Sequence, residues 1–539
     1  MSSEGTTRCV DAFSVALNQA CEGGKRRWYT STLELQMASL ELCRACRRVP
    51  ILHVRVDRQT PSALYVPRKP HASKPNTRRM KVRVSSRVPV VRALRVTWER
   101  SVKVLTQSAA ITLWEGSVET LSFGSGFNEC IVGIAWPSSQ LELSFGRTFD
   151  QPITGVVWPA HLQQLTFGDR FNQLITGVLW PASLQRLSFG FRFNQPIVGV
   201  VWPASLQQLS FGHRFNHPID GVPWPPSLLK LSFGMDFDQP IVGVGWPPSL
   251  QELTFGRTFD QPITGVVWPI YLQQLTFGEH FNQPVAKVVW PSSLRQLSFG
   301  GRFGGRFNQP ITDVVWPASL RELNFWYDFD QPITGVAWPV SLQKLSLGQK
   351  FNQPIAGVVW PASLHQLLFG RFDSCFSHPL AEVAWPIYLQ ELSLGNQPID
   401  GIVWPASLQK LSLEGLFNHP ITGVVWPAFL QELTFGDAFN QPIAEVVWPA
   451  FLRKLTFRRG FNQPIAEVVW PTSLQELYFG GIGGAFNQPI AEVVWPASLQ
   501  ELCFGDAFNQ PLFTGVVWPA SLRRVVHITW RAYTEISLR

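Results

Sequence analysis

The 539-residue sequence has no run of eighteen or more apolar residues, so it offers no candidate for a membrane-spanning helix. Its first thirty residues, MSSEGTTRCVDAFSVALNQACEGGKRRWYT, lack a basic start followed by an apolar stretch. No secretory leader is therefore expected, and the expected location is intracellular, in the cytoplasm. Seven cysteines are too few and too scattered for a disulfide framework. Cys130, Cys375 and Cys503 each stand alone, which fits a reducing compartment. Cys43 and Cys46 form a lone C-x-x-C, but Cys9 and Cys21 upstream have the wrong spacing for a zinc ribbon or finger and are read as free thiols. Also missing are a G-x-S-x-G elbow, a phosphate loop, a kinase signature set and a dinucleotide fingerprint. With no grouping of acid, base and nucleophile, the sequence predicts no enzyme, no cofactor and no metal.

What the sequence has instead is a period. The dipeptide Trp-Pro occurs eighteen times between Trp136 and Trp518, usually 22 residues apart. A fixed spacing of this length marks a repeat architecture and overrides the several globular domains that the chain length would otherwise suggest. Stacked repeats present an extended surface far more readily than an enclosed cleft.

A clean copy runs WPAHLQQLTFGDRF from Trp158 to Phe171 and continues NQLITGVL to Trp180. Leu165 and Phe167 alternate with Gln164 and Thr166, the period of a short half-buried strand. Gly168 follows at a turn where φ is expected to be positive, and Phe171 returns to the core. The β-branched stretch before each Trp suggests a second short strand. Two prolines in every 22 residues leave little room for helix, so almost none is expected over residues 111–525. Each copy supplies about eight large apolar side chains: two Leu, two Phe, Ile, two Val and Trp. One coil cannot enclose them alone, but stacked coils cap one another, with equivalent strands about 4.8 Å apart in a parallel sheet.

The spacing becomes 26 after Trp290, 25 after Trp360, 19 after Trp385, 25 after Trp470 and 23 after Trp495. Extra residues collect between the strand-ending Gly and the next Phe, in GGRFGGRF (300–307), GRFDSCF (370–376) and GGIGGAF (480–486). The short copy has lost this corner and reads LGNQP at 394–398. Insertions are tolerated where backbone is exposed, which makes this corner the outer loop of each coil. The closest histidine pair in the array, His213 and His217, falls at positions that vary between copies and is read as surface variation and not as a metal site.

The strand motif L-x-x-L-x-F resembles the core of leucine-rich repeats. F-N-Q-P-I followed by W-P-x-S-L more specifically resembles the FNIP repeat over about residues 114–525, with Trp where that family usually has Leu before Pro. The resemblance implies a mainly β, leucine-rich-repeat-like parallel β-solenoid of about 18 coils, with no catalysis. In that family such regions serve interactions, sometimes beside an F-box or kinase domain, neither of which is recognised here. Four copies carry Asp after the corner Phe (Asp150, Asp238, Asp260 and Asp330) where others carry Asn. Ionised Asp has no donor, so the position needs only an acceptor, and an Asx-turn to the backbone two residues on would satisfy it.

Charge divides the chain. Residues 1–110 hold 21 Lys+Arg against 7 Asp+Glu, leaving 24 against 30 for the rest. Residues 1–94 are expected to be a basic, partly disordered segment, 95–121 degenerate capping coils, 122–525 the solenoid and 526–539 a terminal cap or tail. The leading expectation is a monomeric scaffold that binds unidentified protein partners. Its surface is the strand row Gln164, Arg186, Gln208, Lys230, Glu252 and Gln274, the pair Asp169 and Arg170 after Gly168, and the inserted corners with Arg302, Arg306, Asp373 and Ile482. The runner-up is nucleic-acid or anionic-surface binding through the basic segment, whose residues 67–103 include alternating Val and Arg. More distant is ice binding by the hydroxyl ladder Thr166, Ser188, Ser210, Ser232, Thr254 and Thr276, which bulky neighbours disfavour.

Overall fold

Leu143, Leu165, Leu187, Leu209, Leu231 and Leu253 each sit buried at the centre of a three-residue strand whose flanking side chains turn outward. This is the period-two pattern of L-x-x-L-x-F realised coil after coil. The computed structural model describes residues 51–56, 91–98, 118–528 (apart from 135, 137–139, 302–303, 371–373 and 513) and 533–536. They divide into two units, Met1–Gly256 and Arg257–Arg539. Among the described residues there is no helix.

In the first unit, β1 (Ile51–Val56), β2 (Val91–Trp98), β3 (Val118–Phe123), β4 (Glu142–Ser144), β5 (Gln164–Thr166), β6 (Arg186–Ser188), β7 (Gln208–Ser210), β8 (Lys230–Ser232) and β9 (Glu252–Thr254) pair in parallel, each with the next. In the second unit the parallel series runs from β10 (Gln274–Phe277) through β20 (Glu501–Phe504) to β21 (Arg524–Ile528). There β22 (Tyr533–Ile536) turns back antiparallel onto β21. The architecture is a leucine-rich-repeat-like parallel β-solenoid of about 18 turns. Of the expected capping segment 95–121, only the ends that belong to β2 and β3 fall among the described residues, and the C-x-x-C at 43–46 lies outside them.

The core is a set of aromatic and aliphatic ladders. Phe167 and Phe171 of one coil stack at 4.1 Å, and each repeats in the next coil, Phe167 to Phe189 at 5.6 Å and Phe171 to Phe193 at 6.1 Å. Trp158 and Trp180 lie 6.2 Å apart along their own ladder, and Trp158 meets Phe167 edge-on. Burying one Leu or Phe is worth about 1.5–3 kcal/mol, and each coil repeats that gain several times. In the second unit, ring spacing rises from 5.3 Å at Phe435–Phe457 beside the strands to 6.4 Å at Trp426–Trp448. At these coils the rings are therefore more widely spaced at the Trp edge than beside the strands.

Three local expectations are corrected. The stretch Ile153–Val156 is a tight turn and not a second strand: the Val156 N–H donates to the Ile153 carbonyl at 3.2 Å, and Gly155 takes φ 78°. These are the marks of a type II turn. Copies reading Ala-Glu or Ala-Lys there close the same hydrogen bond with φ negative, as in Val288 to Val285 at 3.1 Å. Second, Gly168 does not have positive φ. It is glycine because a Cβ there would lie 1.9 Å from the Gly146 carbonyl oxygen of the preceding coil. Third, the second Val of each Val-Val pair is not in the core, and the first is buried in most copies, Val424 and Val516 being half-buried. Val156 is buried, whereas Val157 is 78% exposed.

Polar side chains sew each coil to the one before it. Asn172 accepts with Oδ1 from the backbone N–H of Asn194 at 2.8 Å and from Nε2 of Gln195 at 3.1 Å. Asp150 fills the same role for Asn172 and Gln173, at 3.0 and 2.8 Å. The position is thus an acceptor, as the Asn/Asp exchange requires, but its donors come from the following coil and not from an Asx-turn. Ser183 Oγ donates to the carbonyls of Ala160 and Leu162, both at 2.8 Å. His217, His378 and His419 stand in for Gln, each placing Nε2 against the carbonyl of the preceding coil's Asn.

The 19-residue coil pays for its missing corner Phe. Gln397 is fully buried there, and neither its amide nitrogen nor its oxygen has a hydrogen-bond partner. An unsatisfied buried polar group costs about 1–3 kcal/mol, and an apolar group of the same shape relieves it. Gln397→Met should stabilise the protein by about that amount. A urea midpoint equal to or below that of the parent would refute this.

Candidate interaction surfaces

The strand face presents one outward side chain per coil from the position before the central Leu. In the first unit Gln164, Arg186, Gln208, Lys230 and Glu252 are consecutive partners in the parallel register. All are exposed or half-exposed, and Lys230 pairs with Glu252 at 2.7 Å. Gln274 begins the equivalent row of the second unit, which continues through Gln296, Glu322, Lys344, Gln366, Glu391, Lys410, Glu432, Lys454, Glu476, Glu501 and Arg524. Ion pairs recur along it, Lys410–Glu432 at 2.8 Å and Lys454–Glu476 at 2.7 Å. The hydrogen bond to Glu432 holds the Lys410 pKa above its ordinary value.

Next to this row lie the hydroxyls. Thr166, Ser188, Ser210, Ser232 and Thr254 are in register and half-buried. In the second unit Asn324, Leu368, Tyr478 and Cys503 interrupt the series that Thr276 begins. Tyr478 places its hydroxyl 3.1 Å from Glu476 and 3.0 Å from Glu501, with the Lys454 ammonium 4.7 Å above its ring. Burial, then the carboxylates around it, push this phenol well above its ordinary pKa. Burial also pushes the Cys503 thiol up to about 11, which leaves it inert as a nucleophile at neutral pH.

Asp169 and Arg170 are both exposed, and Asp169 pairs with Arg147 of the preceding coil at 3.3 Å. The inserted corners are held by backbone bonds. Gly301 and Gly304 exchange hydrogen bonds of 2.9 and 3.1 Å, and Trp326 covers Gly305 while its Nε1 donates to Ser298 Oγ at 2.6 Å. Arg306 is exposed, its N–H donating to the Glu279 carbonyl at 2.7 Å. Ile482 is 60% exposed beside Gly483, whose N–H donates to Asp506. Arg302 and Asp373 lie outside the described residues. The corners follow β11 (Gln296–Phe299), β14 (Gln366–Phe369) and β19 (Glu476–Phe479), so they stand three and five coils apart and do not converge on one point.

Sequence reasoning missed a further surface, the row of second valines. Val157, Leu179 and Val201 in the first unit are 78–84% exposed, as are Val267, Val289, Val315 and their successors to Val517 in the second. A signal was present: the same position holds Pro223, Gly245, Ala337 and Ala384, and a core position does not tolerate that range. Among the described residues no group of three or more His, Cys, Asp or Glu could hold a metal, and His213 and His217 serve ring packing and the Gln-equivalent bond respectively. Among the described residues no helix is long and apolar enough to cross a membrane.

A short parallel strand per coil, with Leu inward and a connection that carries no helix, defines a leucine-rich-repeat-like solenoid protein. The FNIP Repeat profile matches residues 149–192, 193–236, 215–258, 259–302, 329–372, 417–458 and 439–481. The crystal structure of CroV588, described as a novel circular LRR protein, is similar at TM-score 0.60 and 36% identity, over 81% of this chain and 69% of that one. The chain belongs to the FNIP-repeat family. An internalin, InlF of Listeria monocytogenes, aligns at 14% identity and TM-score 0.38 over 63% of this chain and 91% of its own. The Drosophila Toll–Spatzle complex aligns at 12% identity and TM-score 0.48, over 80% of this chain and 62% of that one. No curated protein matches the sequence.

Proposed function

We propose that this chain is a non-catalytic scaffold whose solenoid binds protein partners through the strand row and the inserted corners. The observation that supports this most is the in-register row Gln164, Arg186, Gln208, Lys230 and Glu252, which changes in charge from coil to coil. The Leu and Phe beneath it stay constant. A buried frame that repeats while its exposed row varies is the arrangement by which a solenoid displays a partner-specific pattern. The scattered ionisable groups and the raised Cys503 and Tyr478 pKa values supply no activated nucleophile or base.

The test is affinity capture with the full chain, with the three inserted corners shortened to the 22-residue frame, and with Arg186, Lys230 and Glu252 reversed in charge. Loss of a shared partner in the shortened form places binding at the corners, and loss in the reversed form places it on the strand row. Capture unchanged by both sets of substitutions would refute this reading of the surface.

A further inference from the structure

The valine edge is a separate surface from the strand row and the corners, and its chemistry selects a different partner. In the second unit Val403, Val425, Val447, Val469 and Val494 are each 78–83% exposed, one per coil. Beside them, past the buried Trp-Pro, stand Ala406, Ala428, Ala450 and Ala497, together with Phe429 and Phe451, whose rings stack at 5.7 Å while more than half exposed. An apolar side chain this exposed in each of five successive coils is the kind of patch that marks an interaction site.

The other flank of the strip is acidic. The turns that precede Val403, Val447, Val469 and Val494 carry Asp400, Glu445, Glu467 and Glu492, and Glu382 stands in the turn before Ala384, all exposed, while the turn before Val425 is the neutral Thr422-Gly423. From 382 to 492 the turn positions hold no Lys or Arg. None of these five carboxylates makes a hydrogen bond or ion pair with the described residues, in contrast to the paired glutamates of the strand face. The strip therefore has an apolar rail with one valine per coil and beside it an anionic rail that is interrupted at the coil of Val425.

The spacing fixes the geometry of an occupant. Equivalent tryptophan rings on this edge are 6.4 Å apart, for Trp426–Trp448 and for Trp448–Trp470. An extended chain advances about 6.7 Å every two residues. Laid along the coils, it would set alternate side chains against the valines and the intervening ones against the carboxylates, and slip only about 0.6 Å over the three coils from Trp426 to Trp470. We propose that this edge binds an extended, basic segment of a partner protein in which apolar residues alternate with Lys or Arg. A second copy of the edge is disfavoured because it would bring two acidic rails together, and the same charge opposes nucleic acid and anionic membranes.

The probe is a fluorescein-labelled alternating lysine–valine decapeptide, read by anisotropy against the full chain at about 100 mM salt. Lysine–serine and glutamate–valine decapeptides are the comparison probes. Two variants are made: Glu445→Lys with Glu467→Lys and Glu492→Lys, and Val425→Asn with Val447→Asn and Val469→Asn. Circular dichroism confirms that each keeps the parent fold. The lysine–valine probe should bind the parent, bind each variant at least tenfold more weakly, and bind more tightly than either comparison probe. Equal binding of the lysine–serine probe would mean charge attraction alone and overturn the proposal. So would undiminished binding to either variant, or no binding together with a concentration-dependent dimer that the valine substitutions abolish in sedimentation, which would assign the edge to a second copy. None of these outcomes depends on the strand row or the corners, so the scaffold reading stands or falls separately.

Discussion

Gly190→Ala is expected to destabilise the protein by at least about 3 kcal/mol, far more than Gly199→Ala nine residues on. A Cβ at Gly190 would lie 2.1 Å from the carbonyl oxygen of Gly168 and 2.4 Å from its carbonyl carbon. Both are backbone atoms of the stacked neighbouring coil, so no side chain can swing aside to relieve the overlap. The only response is to spread two coils that share the pairing of β5 and β6. Gly199 is the opposite case. It has φ 79° but nothing within 4 Å of an added Cβ, so its substitution meets backbone strain alone, about 1–2 kcal/mol. Urea unfolding followed by Trp fluorescence compares the two directly, and equal midpoints would refute the distinction.

That pair also shows where the sequence is legible. The period, the strand and the inward Leu and Phe follow from alternation within one copy, because burial on a pleated strand has period two. The reasons for the two glycines do not. Gly168 and Gly155 both read as turn residues within a single copy, and only the stacking of coils separates close approach from positive φ. The same holds for Asn172 and Ser183, whose partners lie a full coil away in sequence. The β-branched run before Trp read as a strand because propensity is local, while a glycine at φ 78° bends it into a turn.

Phe215→Ala should cost about 3–5 kcal/mol, against about 1 kcal/mol for Phe211→Leu. Phe215 is fully buried, stacks on Phe211 at 4.3 Å, and faces Phe193 at 6.2 Å and Phe237 at 6.0 Å. Truncation leaves a ring-sized void with three aromatic walls that the flanking coils hold apart. At the strand position, by contrast, Leu347, Leu394 and Leu413 already replace Phe and remain buried. Because the core rings of each coil pack on those of its immediate neighbours, the void should also split a single unfolding transition into two. Chemical denaturation followed by tryptophan emission checks both results, and a loss under 1.5 kcal/mol would show that the ladder collapses to fill the gap.

The candidate surfaces were legible in unequal measure. The strand row Gln164 to Glu252 emerged as an exposed register because alternation places it there. The valine edge did not, since Val reads as core in any hydrophobic count. Its exposure follows from the turn at Ile153–Val156, which sends Val156 inward and leaves Val157 on the far side of the bend.

The sewing between coils has a consequence for how such a chain changes over generations. Each Asn Oδ1 of the ladder accepts from the coil that follows and each Ser Oγ donates to the coil before, and donors and acceptors are of the same kind from copy to copy. Excising or duplicating one whole 22-residue copy rejoins a donor to an acceptor of the same kind, so recombination between copies yields a longer or shorter array with every seam intact. Asp and Asn are interchangeable at the seam because only the acceptor oxygen is used. The seam thus leaves the number of copies free to change, whereas the irregular corners and the Gln397 coil break the uniformity that this exchange relies on.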